Sequence, residues 1–425
     1  MLDIKFIREN TELLKQATVK KHMSFDVDEL VALDVKRLET LKLAEDLRAE
    51  QNRASEAIMK ATSEEKVGLI DSMRRVKDDL KKKEEELEDV MKSWRTHMLA
   101  VPNIPDISVP EGKSDADNQE IKKWGNPTDF SFEPLDHVTI MEAQDMADFE
   151  RGTKVSGFRG YFLKGDGALL EFAVWQLALK HFMSKDFTPL HVPSLVRRET
   201  LLGTGYLPGG EEDLYKTQDD EYLAGTGEVG AMAYYMDEVI DLSNGPIKFL
   251  AFSPCFRREA GAHGKDVKGL IRVHEFFKWE QVILCEASHE ESVKYHEWLN
   301  RNTEEFIELL NIPYHTVVNC GGDLGQGQVK KYDIELWVPG ENKYREISSA
   351  SYFHDFQTRR VNTRYKHSDG KLYYAHSLNS TAIPTPRILV SIIENYQQAD
   401  GTIKVPEALV PFMFGKTVLG KPFRG

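Results

Sequence analysis

From Asp26 to Leu99 the chain has no proline and a single glycine, Gly68, in a composition dominated by Glu, Lys, Arg, Leu and Ala. A stretch this long without breakers is committed to helix. Its second half places Met73, Val76, Leu80, Lys83, Leu87, Val90, Trp94 and His97 in alternating steps of three and four. Six of those eight are apolar, the pattern of a coiled-coil seam. Leu30, Leu33, Ala44, Leu47, Ala54 and Ile58 follow the same steps less cleanly. Asp26 suits a helix N-cap, and a reversal near Ala61-Thr62-Ser63 gives two antiparallel helices, each on the order of 50 Å long. Arg48, Arg53, Lys60, Lys66, Arg74 and Arg75 fall in the outer half of this hairpin. A charged coil of this kind serves dimerisation as readily as it binds an anionic partner, so other stretches must decide.

The flanks are short. Asp3 to Lys15 has the pattern of one amphipathic helix, with Ile4, Ile7, Leu13 and Leu14 on its apolar side. Val101-Pro102-Asn103-Ile104-Pro105 ends the coil, and the polar, acidic segment to Pro127 is expected to be a linker. The expected division is a helical domain over 1–106 and a second domain over 107–425 that starts with that linker. A chain of 425 residues with 41% hydrophobic and 29% charged residues fits a soluble globular protein of about two or three domains. No apolar run approaches the ~20 residues of a membrane span, and Met1-Leu2-Asp3 opens no signal or transit peptide. Cys255, Cys285 and Cys320 lack metal-ligand spacing, which points to a reducing cytoplasm. The formal net charge of −14 argues against broad nucleic-acid binding driven by overall charge, but not against a local basic patch, since fields are screened within about 8 Å.

Beyond Phe130, strands and helices mix without a strand-helix rhythm. Leu169 to Met183 has helical apolar density, Thr188 to Val192 is strand-like up to Pro193, and several strands follow. This favours an α+β domain on a largely antiparallel sheet. No Gly-Lys-Ser/Thr phosphate loop or Rossmann glycine pattern is present, so any nucleotide must be held another way. Ile247 to Leu284 looks like two strands around a glycine-rich loop, Ala260 to Gly269. In the returning strand, Leu270 to Leu284, alternation puts Arg272, His274, Phe276, Lys278 and Glu280 on one face and Ile271, Val273, Phe277, Trp279 and Ile283 on the core face. A cation, a flat aromatic and a carboxylate in line can hold a phosphate, a base and an ammonium group. An ordinary hairpin with a solvated face shows the same alternation. Further on, Lys331–Trp337 alternates as a strand, and Glu346 with Ser349 offers oxygen ligands of the kind Mg²⁺ takes; Asp333 and Glu335 offer the same. Asn379 to Pro386 is expected to turn the chain. Arg387 then starts an apolar helix capped by Thr385, where it needs an anionic partner, a protein carboxylate or a phosphate. His274, His315 and His376 form no two-histidine helical motif, so no zinc is expected.

Taken together and in order, these stretches resemble the seryl-tRNA synthetases of bacterial type, class II aminoacyl-tRNA synthetases. The likeness spans Met1 to Asn10, the exit Val101–Pro105, Leu170–Pro193 as motif 1, Phe256-Arg257-Arg258-Glu259 through Glu280 as motif 2 and Leu378–Asn395 as motif 3. Gly203–Pro208, Thr226-Gly227-Glu228 and Glu346-Ile347-Ser348-Ser349 match seryl-specific elements. The sequence departs from the usual pattern at Gly227, Gly230, Ala350, Tyr352, His354 and Pro384.

The resemblance implies a class II antiparallel-sheet catalytic domain behind a long helical hairpin. It implies ATP-dependent formation of seryl-adenylate and transfer to the 3′ end of tRNA(Ser), with tRNA(Sec) left open as a second acceptor. It assigns Arg257 to the α-phosphate and serine carboxylate, and Arg272 and Arg387 to the outer phosphates. Mg²⁺ falls to Glu346 and Ser349. Phe276 takes the adenine face, and Glu259 with the Val273 backbone its edge. Arg258, Ile347 and Ser348 complete the ATP set. Serine falls to Thr226, Gly227, Glu228, Glu280, Asn379 and Thr381. The hairpin becomes a tRNA-binding arm carrying the six basic residues above, on a cytoplasmic homodimer without membrane attachment. The loop Ala260–Gly269 becomes the segment that orders when ATP and the acceptor end arrive. A serine-activating paralogue with a non-tRNA acceptor, or a silent RNA-binding or coiled-coil protein, stands as the alternative.

Overall fold

A computed structural model describes the chain except for residues 262, 263, 265, 267, 424 and 425. The central part of the Ala260–Gly269 loop therefore lies partly outside the described residues. The chain forms two compact units, residues 1–19 with 23–102, and residues 20–22 with 103–425.

The first unit is all helix. The expected single N-terminal helix is two, α1 (Ile4–Glu9) and α2 (Thr11–Lys20), because the Asn10 backbone leaves the helical conformation, while its side-chain amide donates to the Phe6 carbonyl. Helices α3 (Val27–Lys60) and α4 (Ser63–Ala100) form the hairpin. Their 34 and 38 residues correspond to about 51 and 57 Å. Asp26 caps α3 by accepting the Glu29 N–H at 2.9 Å, and at the reversal Glu65 accepts the Thr62 N–H at 3.0 Å. All eight α4 seam positions are buried or half-buried. The α3 side of the seam is less apolar because Arg37, Thr40 and Gln51 fill seam positions, and Arg37 lies over the Trp94 ring. Ile7, Leu14, Val27, Leu30 and Met98 form a buried cluster at the base, each contributing about 1.5–3 kcal/mol.

The second unit is α+β. In chain order its main elements are β1 (Gln119–Trp124), α5 (Asp166–Met183), β2 (Thr188–His191), α6 (Glu228–Ala233), β3 (Ile247–Phe256) and β4 (Glu275–Cys285). There follow α7 (His289–Leu309), β5 (Tyr314–Val318), β6 (Lys330–Val338), β7 (Lys343–His354), β8 (His376–Thr385) and α8 (Arg387–Tyr396). The strands make one eight-stranded sheet in the order β1-β5-β6-β7-β8-β4-β3-β2, antiparallel except for the β2–β3 edge pair. Helices α5 and α7 cover one face. Trp279 and Ile283 share their core cluster, and Gln281 donates to the Leu299 carbonyl and the Thr303 hydroxyl.

Three local expectations are corrected. The linker is not featureless: its exposed Gln119–Trp124 pairs with β5 as an edge strand, which a polar sequence with one solvated face does not announce. The return strand begins at Glu275 rather than Leu270, and His274 sits near Tyr215 and Phe158 instead of beside Arg272. The supposed turn Asn379–Pro386 is mostly strand β8, paired with β4 as far as Thr385 and, at Asn379 and Ser380, with β7 as well. Its Asn, Ser and Thr residues are turn formers in isolation, but here the Ser348 hydroxyl bonds the Thr381 carbonyl and Thr303 does the same. Thr385 consequently does not cap α8; its hydroxyl accepts from Trp175 Nε1 at 2.8 Å. Among the described residues no helix is long and apolar enough to cross a membrane.

Candidate active site

The sheet face opposite α5 and α7 carries two adjoining cavities. Alternation along β4 sends Phe276, Lys278 and Glu280 to this face while Phe277 and Trp279 pack on Trp175 and Phe252. An extra residue, Ile347, bulges β7 against β6, so that Glu346 reaches the same cleft as Ser349 and Ser351. β8 delivers Asn379 and Thr381, and the first turn of α8 delivers Arg387.

The first cavity is lined by Arg257, Glu259, Arg272, Val273, Phe276, Glu346, Ile347 and Arg387, among others. The Arg257 guanidinium lies 5.2 Å from the Phe276 ring centre. Arg387 is fixed by bonds to the Ile271 carbonyl at 2.8 Å and the Glu346 carbonyl at 3.0 Å. Arg272 is engaged by Glu259 and, at 3.6 Å, by Asp266, whose other oxygen meets Arg345 at 2.6 Å. The cleft holds about 70 Å³ in this state, well under the ~300 Å³ of a typical small-molecule pocket. The Arg272 ion pairs with Glu259 and Asp266 close one side of the cleft.

The second cavity, about 320 Å³, is walled by Thr226, Glu228, Glu280, Asn379, Thr381 and Ser349 and by the loop Gly325–Gln328. Its floor is polar and its side chains are buried. Glu280, 2% exposed, holds the Lys278 ammonium and accepts the Thr226 hydroxyl at 3.3 Å. Glu228 accepts Gln357 Nε2 at 2.6 Å and the Tyr206 hydroxyl at 3.1 Å. Burial, reinforced by the charge of Glu280, pushes the Glu228 carboxyl up to about 7. Arg257, Lys278, Glu346 and Thr381 line both cavities and so mark their junction.

Three expected residues lie off these walls. Arg258 turns outward and donates to the Glu212 carbonyl, and Ser348 is buried against Thr381. Gly227 stands at the start of α6, where a Cβ would come within 3.1 Å of the Ser253 hydroxyl. Lys278, Tyr206 and Gly325–Gln328 belong to the site but were not singled out as ligands. The signal for Lys278 was its place in the same alternating set as Phe276 and Glu280. Two departures from the family pattern have a structural account. Tyr352 is fully buried and donates to Asp106 at 2.7 Å, and His354 packs between His289 and His376.

Glu346 and Ser349 present oxygen atoms of the kind Mg²⁺ takes to this cleft. Asp333 pairs in register with Ser349, and burial together with the neighbouring charge of Glu346 raises its carboxyl to about 6. One Asp333 oxygen is buried without a hydrogen-bond partner. Its other oxygen is engaged by the Lys331 ammonium at 3.3 Å and accepts the Asn319 amide at 2.6 Å. Among the described residues no group of three or more His, Cys, Asp or Glu side chains is placed to hold a metal.

Residues 1–105 match the family model of the seryl-tRNA synthetase N-terminal domain, and residues 215–396 match the class II tRNA synthetase core domain that serves glycine, histidine, proline, serine and threonine. The serine–tRNA ligase of Deinococcus radiodurans is 47% identical over 425 residues, covering 100% of both chains. The chain belongs to the seryl-tRNA synthetase family. The serine–tRNA ligase of Thermodesulfovibrio yellowstonii is 43% identical over 97% of this chain and 99% of its own. The seryl-tRNA synthetase of Pyrococcus horikoshii complexed with ATP superposes with a TM-score of 0.90 at 38% identity, covering 100% of both chains. The cytoplasmic serine–tRNA ligase of Naegleria fowleri in complex with AMP gives 0.86 at 31%, with 99% of each chain covered. As a seryl-tRNA synthetase, the chain has the class II catalytic sheet, and its helical unit is the family's N-terminal domain.

On that domain, Arg48 is paired with Glu84 and Arg75 with Asp71. Arg53, Lys60, Lys66 and Arg74 form no ion pair among the described residues. All six are exposed except Lys66, which is half-buried.

Proposed function

We infer that the chain activates L-serine with ATP and charges tRNA(Ser), and that the junction of the two cavities is where the reaction occurs. The observation that carries this is the shared wall: Arg257, Lys278, Glu346 and Thr381 belong to both the nucleotide cleft and the amino-acid cavity. A serine carboxylate oxygen attacks the α-phosphorus there, the bond to the bridging oxygen breaks, and pyrophosphate leaves. The 3′-terminal hydroxyl of tRNA then attacks the seryl carbonyl carbon and AMP departs. The first step needs alignment and charge stabilisation more than a protein base.

We assign the roles that the family resemblance implies. Arg257 bridges α-phosphate and carboxylate. Arg272 and Arg387 hold the outer phosphates. Phe276 stacks on adenine, with Glu259 and the Val273 backbone at its edge. Glu280 and Thr226 receive the serine ammonium, and Thr381 with Glu280 the hydroxyl; Asn379 and Glu228 close that cavity. Glu346 and Ser349 would hold Mg²⁺, which supplies charge neutralisation on the phosphates.

We propose further that residues 1–106 are a tRNA-binding arm whose basic outer half contacts phosphates, with 107–425 as the catalytic domain. Phe158, Phe162 and Phe172, exposed by 55%, 45% and 50%, cluster around one open cavity beside α5. A patch of that kind suits a homodimer interface. Three free, buried cysteines fit a cytoplasmic setting. ATP–pyrophosphate exchange measured with each amino acid in turn, followed by charging of tRNA(Ser), tests the reading. Exchange with serine and loss of it in Arg257→Ala are expected; exchange that ignores serine would overturn it.

A further inference from the structure

Lys21 is 2% exposed and has no carboxylate partner among the described residues. Its ammonium donates to three backbone carbonyls, Gly325 at 3.0 Å, Gln326 at 2.9 Å and Gln328 at 2.6 Å. Three acceptors match the three donors of the charged form. Burial pulls its pKa down to about 7, so these carbonyls are what the buried charge is given in place of water.

Asn103, 3% exposed, completes the set. Its backbone N–H donates to the Gln326 carbonyl at 2.8 Å, and its side-chain amide to the carbonyls of Gly327 at 3.0 Å and Phe353 at 2.8 Å. Every carbonyl from Gly325 to Gln328 is thus held from behind by Lys21 or Asn103. The same four residues line the amino-acid cavity. The loop is also tied on its own side, for Gln328 accepts the Gly325 N–H at 2.6 Å and donates to the Ser351 hydroxyl at 2.8 Å. Gly327 has no room for a side chain, since a Cβ would meet the Phe356 ring at 2.8 Å.

Neither anchor is local to the loop. Lys21 and Asn103 belong to the same compact unit as the loop, Lys21 in the short segment 20–22 and Asn103 at the first residue after the helical unit ends. Resting on the serine-activation reading above, we propose that Lys21 and Asn103 are positioning residues for serine binding: they fix the carbonyls of Gly325–Gln328 and so hold shut one wall of the amino-acid cavity. Neither touches the nucleotide cleft, whose lining comes from other strands. Their loss therefore acts on the amino acid and not on ATP.

The test is Lys21→Met, which keeps length and apolar bulk but removes all three donors, read by ATP–pyrophosphate exchange with serine and ATP titrated separately. The serine KM is expected to rise about tenfold or more, with the ATP KM within about twofold of wild type and kcat within about threefold. An unchanged serine KM, or serine and ATP KM rising together, would overturn the proposal. If Lys21→Met does not fold, Asn103→Ser is read by the same split with the same criteria. Wild-type exchange separates the two levels of the argument. Its absence would sink serine activation itself, whereas normal wild-type exchange with an unmoved KM in the variant sinks only the positioning role.

Discussion

Glu280→Gln is the substitution from which the proposed serine cavity predicts most. Glu280 is 2% exposed, faces the cavity, and holds both the Lys278 ammonium and the Thr226 hydroxyl. The amide keeps the shape and removes the charge. A charge-assisted hydrogen bond to the serine ammonium is worth about 1.5–3 kcal/mol, so the serine KM should rise roughly 10- to 150-fold. Stability should fall as well, because Lys278, 6% exposed, loses its carboxylate. Breaking a buried ion pair costs about 3–5 kcal/mol when nothing replaces the partner. Here Glu228 offsets part of that cost: the charge of Glu280 helps hold its carboxyl up near 7, and Lys278 attracts it. With Glu280 neutral, Glu228 ionises more readily and serves as the counter-charge. Exchange kinetics with serine and ATP titrated separately, together with a thermal melt, check this. A serine KM that moves by less than about threefold, or an ATP KM that moves equally, would refute the assignment of Glu280 to the ammonium.

Glu228 itself predicts a pH dependence. Its folded-state value of about 7 lies above the ordinary 4.5, so its contribution to stability is fully present below 4.5 and is lost as pH rises through 7. Glu228→Gln should flatten the wild-type decline in urea-unfolding free energy between those limits, by about 3 kcal/mol. One strand in from the sheet edge, burial opposes charge on His315, but Glu335 and Glu120 outweigh it and raise its pKa. That stabilisation is complete below the usual 6.5 and disappears above the raised value, so His315→Gln should cost about 1 kcal/mol at pH 5.5 and little at pH 8.5, measured by denaturant titration. Deletion of residues 31–91 should abolish tRNA(Ser) charging while leaving serine-dependent exchange intact; unimpaired charging would mean the helical hairpin is not the tRNA arm.

The parts legible in the sequence were those where one local rule acts without competition. A proline-free charged stretch with a capping Asp26 and a three-four seam has only one fold, and the ends of α3 and α4 fall where the caps place them. Strand alternation likewise put Phe276, Lys278 and Glu280 on one wall. Reading failed where tertiary contacts override local preference. Asn379–Thr385 is a central strand because its polar groups find partners on neighbouring elements, a fact that lies outside the segment. Gln119–Trp124 is a strand only because β5 is there to pair with it. The loop Gly325–Gln328 escaped notice because its anchors are Lys21 and Asn103, more than two hundred residues away in sequence. Arg258 and Ser348 were carried along by motifs whose neighbours line the site, although each has its side chain engaged elsewhere.

The central claim is that one cavity wall recognises serine next to the nucleotide, and its hydroxyl offers the sharpest probe. Calorimetric titration with a non-hydrolysable seryl-adenylate analogue and its alanyl counterpart compares two ligands that differ by that group alone. A site that hydrogen-bonds the hydroxyl through Thr381 and Glu280 should favour the seryl analogue by roughly 10⁴-fold or more, because the alanyl form leaves buried polar groups unpaired. Equal affinity for the two, or no measurable binding of either, would contradict it.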